Sequence, residues 1–238
     1  MIKNIPNFIT CINLLFGCLG LLFLVNGSPA CAAYCIWAAA IADFFDGFAA
    51  RAVKAESPMG KELDSLADVV SFGVLPSFLW FYYISQSLDI APFSTSSHLL
   101  WPYLAFFMAI CSAWRLAKFN IDTRQTDHFR GVPTPANALV WSAIPFISST
   151  ALFPWAAQGM NNPVFVIVFG LLMSVLLVLD VPLIALKFKD WSWRSNKIKY
   201  VFLLLTVILL VSLRANGIFL VFATYLGASF LDNRSKGL

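Results

Sequence analysis

Long apolar runs, each bounded by a few polar residues, recur from one end of this chain to the other. A helix needs about 20 mostly apolar residues to cross the hydrocarbon core of a bilayer, and eight runs reach or approach that length. The predicted spans are residues 8–26, 29–50, 64–87, 99–118, 134–155, 162–186, 199–213 and 217–231. The pattern therefore predicts an all-α fold, a polytopic transmembrane helical bundle.

The composition excludes an ordinary soluble domain of this length. The chain is 60% hydrophobic and 12% charged, whereas an average soluble domain is roughly 25% charged. The formal net charge of +4 comes from basic residues that mostly lie in loops between the apolar runs. Because they do not cluster on one amphipathic element, no nucleic-acid partner is predicted.

The last two apolar runs leave the span count open. Both are short, and they share the break Arg214-Ala215-Asn216-Gly217. We prefer eight spans, and the alternative is six spans plus a re-entrant pair. We also divide the chain into a core over residues 1–186 and a C-terminal part over residues 187–238. That second part contains a basic loop at the membrane interface and the last helical pair.

The distribution of Lys and Arg predicts the orientation of the bundle. With eight spans and the N-terminus inside, 15 of the 16 basic residues fall at cytoplasmic ends and loops, and only Arg214 falls outside. This excess of cytoplasmic Lys and Arg is typical of inner-membrane proteins. Both termini are therefore predicted to be cytoplasmic, on the same side as segments 51–63 and 115–133.

Four aspartates lie near the ends of two predicted spans, where a charged side chain is costly unless it has a partner. Asp43 and Asp46 are three residues apart, and Asp64 and Asp68 are four apart, so each pair shares a helix face. Ser57-Pro58 breaks the chain between them, which predicts antiparallel neighbouring helices with the carboxylates facing a polar cavity. Oxygen ligands of this kind suit Mg²⁺ or Mn²⁺, and two such ions can clamp a diphosphate.

Small and basic residues beside the aspartates support a phosphate-binding site over solvated helix ends with chance acids. Gly47 follows Asp46 directly and leaves room for a nucleotide to approach the backbone. Arg51 lies one turn further on, where its guanidinium can pair with phosphate oxygens. A metal-ion transporter is an alternative of a different class, but it would leave the Gly, Ala and Arg positions unexplained.

The spacing of these residues resembles a known signature. The CDP-alcohol phosphatidyltransferase family is marked by D-x2-D-G-x2-A-R-x8-G-x3-D-x3-D. This chain carries the signature with every spacing intact, at Asp43, Asp46, Gly47, Ala50, Arg51, Gly60, Asp64 and Asp68. Two later segments, Arg115–Asn120 and Gly131–Pro135, resemble the bacterial integral-membrane branch that uses L-serine as acceptor.

The resemblance implies a reaction and a set of site residues. The four aspartates would bind two divalent ions, Mg²⁺ or Mn²⁺, and Asp68 would double as the general base. Asn7, Gly47, Arg51 and Ser57 match family positions that contact CDP-diacylglycerol, and the additional candidates are Thr10, Ala50, Lys61 and Ser65. The implied reaction transfers the phosphatidyl group to L-serine and releases phosphatidylserine and CMP. The implied setting is the inner membrane with the site facing the cytoplasm, and a homodimer is expected on family grounds alone.

The acceptor is the least determined part of this prediction. Serine is zwitterionic and needs a cation for its carboxylate, which Arg115 or Lys118 could supply, with Asn120 assisting by hydrogen bonding. Both cations could instead anchor the helix end by extending to the interface. The same chemistry with glycerol 3-phosphate or inositol phosphate stays an alternative, although a phosphorylated acceptor usually demands more basic residues.

Overall fold

The computed structural model describes residues 4–55, 57–93, 100–121, 128–147, 154–184 and 193–236, and these are helical apart from short connections and one strand pair. The helices are α1 (Ile5–Val25), α2 (Pro29–Ala52), α3 (Pro58–Asp68), α4 (Leu75–Ser87), α5 (Phe106–Ile121), α6 (Thr134–Ile147), α7 (Pro154–Met160), α8 (Pro163–Val178), α9 (Trp193–Leu213) and α10 (Gly217–Lys236). The predicted helical bundle is confirmed for this part of the chain.

Three shorter helical segments and one strand pair complete the architecture. A π-helical segment (Val69–Val74) joins α3 to α4 without a break, and 3₁₀ turns precede α5 (Trp101–Ala105) and α10 (Arg214–Asn216). Strands β1 (His128–Arg130) and β2 (Pro182–Ile184) pair antiparallel, with Phe129 opposite Leu183. This three-residue pairing ties the segment before α6 to the segment after α8, and the all-α prediction did not include it.

Several helical runs are long and apolar enough to cross a bilayer. They are Ile5–Val25, Pro29–Ala52, Pro58–Ser87, Trp101–Ile121 and Asn196–Leu231, and the pair α7 and α8, bent by 97°, passes the same test together. Large apolar side chains face outward on these runs, with Phe44 65% exposed and Val211 77% exposed. Such surfaces need lipid around them. The chain is a multi-pass membrane protein, and its described part contains five such runs, or six if the bent pair is counted as one.

The last of these runs is two helices rather than one. The rings of Phe202 and Tyr225 have their centroids 5.8 Å apart, whereas a straight helix would separate their Cα atoms by about 34 Å. The chain therefore reverses at Arg214–Asn216, and α9 and α10 form an antiparallel hairpin of 21 and 20 residues. The break predicted at residues 214–217 lies at this turn. The count of eight spans stays a prediction, because residues 148–153, which follow α6, lie outside the described part.

The predicted end of the sixth span at residue 186 is wrong. Helix α8 ends at Val178, and Leu179 is already extended, with φ −61° and ψ 135°. Asp180 adds a charge at this point, and Pro182 biases the residue before it away from helical geometry. Residues 187–192 of the predicted basic loop lie outside the described part. The loop and the span start predicted at residue 199 are wrong beyond that point, because α9 already begins at Trp193.

The core of the bundle forms where α4, α6 and α8 meet. The indole rings of Trp80 and Trp141 lie 5.8 Å apart between centroids, and both residues are fully buried. The Trp80 Nε1–H donates to the carbonyl of Val166 at 3.0 Å. Gly170 faces the Trp80 ring so closely that a Cβ there would overlap three of its carbon atoms. Close approach at a small residue is a common way for membrane helices to pack.

We expect Gly170→Ala to destabilise the bundle by about 1–3 kcal/mol, because the added methyl group overpacks the Trp80 site. Thermal unfolding of the purified protein in detergent measures the change. The matched control is Gly227→Ala, where an added Cβ would meet no atom within 4 Å. Equal unfolding temperatures for the two variants would contradict this account of the core.

Candidate metal centre

The site is built where the chain reverses between α2 and α3. Ser57 caps α3, its Oγ accepting a hydrogen bond from the Gly60 amide at 3.0 Å. Pro58 follows at the first helical position, where its missing N–H costs nothing. The break predicted from Ser57-Pro58 is therefore confirmed. Helix α1 packs against both α2 and α3 and supplies part of the wall of the site.

Asp43, Asp64 and Asp68 lie together after this reversal. One oxygen from each carboxylate lies within 4.8 Å of the oxygens of the other two. Asp68 is buried, while Asp43 and Asp64 are partly buried. The Oδ1 atom of Asp64 is buried and has no hydrogen-bond partner among the described residues. An all-oxygen donor set with an unpartnered buried oxygen fits a hard divalent cation such as Mg²⁺ or Mn²⁺.

Asp46 lies outside this three-carboxylate group. It is buried, and its Oδ2 accepts a hydrogen bond of 2.7 Å from the Thr10 hydroxyl. Asp46 and Asp64 both line one cavity, so the fourth carboxylate stands beside the group rather than within it. That all four aspartates bind two ions stays a prediction.

Asn13 is a member of the site that sequence reasoning missed. Its Nδ2 donates to Asp68 Oδ1 at 3.1 Å, and the residue is fully buried. The hydroxyl of Ser71, three residues after Asp68, donates to the Asn13 carbonyl at 3.0 Å. The available signal was an amide side chain in the middle of an apolar run, one helical turn after Thr10, which a membrane helix does not carry without a partner.

The π-helical segment begins directly after Asp68. Such wide turns are rare and often occur at functional sites. Pro76 has no N–H to give to the carbonyl four residues earlier, which favours the irregular hydrogen bonding here. Two glycines allow close packing around the segment. A Cβ on Gly17 would lie 2.5 Å from the Ser71 Oγ, and one on Gly73 would lie 2.9 Å from the Ser112 Cβ.

A cavity of about 580 Å³ adjoins the carboxylates between α1, α2 and α3. Its lining includes seven of the eight residues predicted to contact CDP-diacylglycerol, namely Asn7, Thr10, Gly47, Ala50, Arg51, Ser57 and Lys61. Arg51 and Lys61 bring positive charge to a wall that also contains Asp46 and Asp64. The cavity therefore combines basic side chains that could pair with phosphate and carboxylates that could hold a metal ion.

Ser65, the eighth predicted contact, is not among the lining residues. Its hydroxyl accepts a hydrogen bond of 2.8 Å from Asn120 Nδ2, and Lys61 Nζ donates to the Asn120 carbonyl at 2.9 Å. These contacts join α3 to the end of α5. Asn120, predicted to contact serine, thus braces the lysine of the cavity wall.

The structure separates the two cations that were predicted to contact serine. Arg115 is 8% exposed and lies within electrostatic range of the Asp68 carboxylate and the Tyr225 hydroxyl. Its Nε has no hydrogen-bond partner among the described residues. Lys118, one turn later on α5, is exposed and shares a narrow crevice with Arg115 and Asp180. The charge of Arg115 therefore interacts with Asp68 of the carboxylate site, and Tyr225 brings the C-terminal hairpin into electrostatic range of Arg115.

Comparison with known proteins identifies the family of this chain. A sequence model of the CDP-alcohol phosphatidyltransferase family matches residues 3–160, more than half of the chain. The chain therefore belongs to the CDP-alcohol phosphatidyltransferase family and is a membrane-embedded enzyme of the transferase class.

Individual relatives narrow the resemblance within the family. The chain is 35% identical over 157 residues to the CDP-diacylglycerol–serine O-phosphatidyltransferase of Bacillus subtilis (strain 168), across 66% of this chain and 84% of that one. It is 28% identical over 217 residues to the protein of the same name from Helicobacter pylori (strain J99), across 90% and 85%. Another protein of that name, from Methanocaldococcus jannaschii, is 31% identical over 172 residues, across 72% and 71%.

We expect Asp64→Asn to weaken Mn²⁺ binding at least about tenfold, because it removes a charged oxygen ligand from the three-carboxylate group. Electron paramagnetic resonance of free Mn²⁺ during titration of the purified protein measures the affinity. Asp89→Asn is the matched control, since Asp89 follows α4 at the opposite end of the run that begins at Pro58. Unchanged Mn²⁺ affinity in Asp64→Asn would refute the metal centre.

Proposed function

We propose that the chain transfers the phosphatidyl group from CDP-diacylglycerol to L-serine, giving phosphatidylserine and CMP. The observation that carries the proposal is the cavity in which Arg51 and Lys61 stand beside the carboxylates. The printed names of the relatives support the same donor and acceptor. The donor and the lipid product are both amphiphiles, which suits a site formed by membrane helices.

The cavity suits the nucleotide diphosphate part of the donor. Arg51 and Lys61 would pair with phosphate oxygens, while Asn7, Ser57 and Thr10 offer polar atoms to the nucleotide. Gly47 and Ala50 have small side chains, which leave room for the donor beside α2. Ser65 would act indirectly, because it accepts a hydrogen bond from Asn120, and the Asn120 carbonyl accepts one from Lys61. On the same helix Phe44 and Phe48 are exposed, next to where the acyl chains would lie in the bilayer.

Carboxylates alone would repel a diphosphate, so the proposal includes divalent ions. Asp43, Asp46, Asp64 and Asp68 would hold two ions, Mg²⁺ or Mn²⁺, as the family signature implies. Bound ions would supply positive charge against the diphosphate and the leaving CMP. The unpartnered Asp64 Oδ1 supports this assignment.

The reaction is a substitution at phosphorus. The serine hydroxyl oxygen forms a bond to the β-phosphorus while the bond from that phosphorus to the oxygen bridging the α-phosphate breaks, and CMP leaves with the bridging oxygen. The hydroxyl proton passes to Asp68 as general base. Asn13 holds Oδ1 of that carboxylate by a hydrogen bond and so orients it. Arg51 would stabilise the charge that develops on phosphate oxygens.

The choice of acceptor rests on Arg115, a buried cation that interacts electrostatically with Asp68. Arg115 is the one buried Lys or Arg among the side chains that the structure describes, and a single cation suits one carboxylate better than a phosphate dianion. Glycerol 3-phosphate and inositol phosphate are therefore the less favoured acceptors. Lys118 and Asn120 as serine contacts stay predictions. A metal-ion transporter is disfavoured because Arg51 and Lys61 would repel a cation passing through the cavity.

The setting follows from the charge distribution. The proposed location is the inner membrane, with eight spans, both termini inside and the site open to the cytoplasm, where serine is available. The support is the cytoplasmic excess of Lys and Arg in this arrangement. The homodimer expected on family grounds stays a prediction, as does the division at residue 186.

We expect the purified protein in detergent to make labelled phosphatidylserine from CDP-diacylglycerol and labelled L-serine, only with Mg²⁺ or Mn²⁺ present and with equal release of CMP. Glycerol 3-phosphate and inositol phosphate are offered separately. Asp68→Asn should lower the rate at least about 100-fold, since general-base catalysis contributes about 10²–10⁴-fold, whereas Asp89→Asn should not. Transfer to another acceptor alone would overturn the serine assignment, and no metal-dependent CMP release would overturn the transferase proposal.

A further inference from the structure

Two unpartnered polar atoms lie on side chains that interact with Asp68. Asn13 donates its Nδ2–H to Asp68 at 3.1 Å, which orients the amide and leaves its Oδ1 as a free acceptor. That Oδ1 is buried and receives no hydrogen bond from any described residue, and the same holds for the Nε donor of Arg115. Asn13 is 0% exposed and Arg115 is 8% exposed.

Buried polar atoms without partners are uncommon in folded proteins, and each one needs an explanation. A methyl-bearing side chain of similar size at position 13 would avoid the cost of an unpaired oxygen inside a membrane bundle. The Asn13 amide therefore does more than hold Asp68 in position. Its Oδ1 atom is suited to a molecule that brings a hydrogen-bond donor to this side of the Asp68 carboxylate.

The two unpartnered atoms, Asn13 Oδ1 and Arg115 Nε, have opposite roles in hydrogen bonding. Arg115 Nε–H is a positively charged donor and Asn13 Oδ1 is an acceptor. The Asp68 carboxylate accepts a hydrogen bond from Asn13 and interacts electrostatically with Arg115. A zwitterionic amino acid offers the complementary set, because its ammonium has only donors and its carboxylate has only acceptors. Neither glycerol 3-phosphate nor a simple alcohol carries an ammonium group.

We propose that Asn13 is a specificity-determining residue that recognises the ammonium group of the acceptor amino acid. Asn13 Oδ1 accepts a hydrogen bond from the ammonium, Arg115 Nε–H donates to the carboxylate, and the hydroxyl is left at Asp68. This inference rests on the proposed transfer to serine and adds the means by which the acceptor is selected. Sites built to hydrogen-bond a substrate group discriminate strongly against analogues that lack it.

The test compares acceptors that lack one group each, using the full-length protein in detergent with CDP-diacylglycerol and Mn²⁺. The acceptors are L-serine, 3-hydroxypropionate, which lacks the ammonium, and ethanolamine, which lacks the carboxylate. The quantity measured is the ratio of kcat/KM between two acceptors on one protein. A general defect in folding or in the orientation of Asp68 lowers both rates and leaves that ratio unchanged.

We expect the wild type to prefer serine over 3-hydroxypropionate by about tenfold or more, the size of one hydrogen bond to a charged group. Asn13→Leu should bring this ratio close to one. Asn13→Asp keeps an oxygen acceptor but cannot donate to Asp68, so it should slow both reactions and keep the preference. Arg115→Met should selectively reduce the preference for serine over ethanolamine. Asn26→Ser, at the exposed end of α1, is the matched control and should behave as the wild type.

Three results would overturn the inference. They are a wild type that does not distinguish serine from 3-hydroxypropionate, an Asn13→Leu variant that keeps the wild-type ratio, and an Asn13→Asp variant that loses it. If Asn13→Leu does not fold, Asn13→Ala gives the same test with a smaller side chain, because it also removes both polar atoms. Failure of the wild type to use serine at all would instead refute the proposed function, and it is seen before any variant is made.

Discussion

The structure depends on the cost of placing several carboxylates together within a membrane bundle. Asp43, Asp64 and Asp68 bring their oxygens within 4.8 Å of one another, where like charges repel and water is scarce. No packing of apolar helices offsets this by itself. The surrounding residues hold the three carboxylates in place and form surroundings that suit cations and phosphate.

Helix α1 is the main element that holds the carboxylates in place. Its apolar sequence would suit a simple membrane anchor, but one face carries Thr10 and Asn13, which hydrogen-bond to Asp46 and Asp68. Gly17 follows on that face and lets the π-helical segment approach. Each aspartate that α1 touches belongs to a different helix, so one continuous element sets the distance between α2 and α3.

The C-terminal hairpin joins the site from the other side. Tyr225 on α10 packs in a cluster with Val132, Leu183 and Phe202, and it lies within electrostatic range of Arg115. The strand pair between β1 and β2 holds the start of α6 near the end of α8 in the same region. The part of the chain beyond the family match therefore contributes Tyr225 as an electrostatic neighbour of the arginine that interacts with Asp68.

The sequence by itself determined the membrane-embedded helical class and the carboxylate pairs. These depend on local spacing: apolar runs set the helices, Ser57-Pro58 sets the reversal, and intervals of three and four place each aspartate pair on one face. Most of the cavity lining was implied by the resemblance to the family signature. Only the tertiary structure decided which polar side chains meet across helices. Asn13 hydrogen-bonds to Asp68 from a helix distant in sequence, and Tyr225 on α10 lies within electrostatic range of Arg115. Lys118 is exposed although Arg115 is buried, and α8 stops eight residues before the predicted end of its span. Periodicity determines which face of a helix a residue occupies, but the partner of that face depends on how the whole bundle packs.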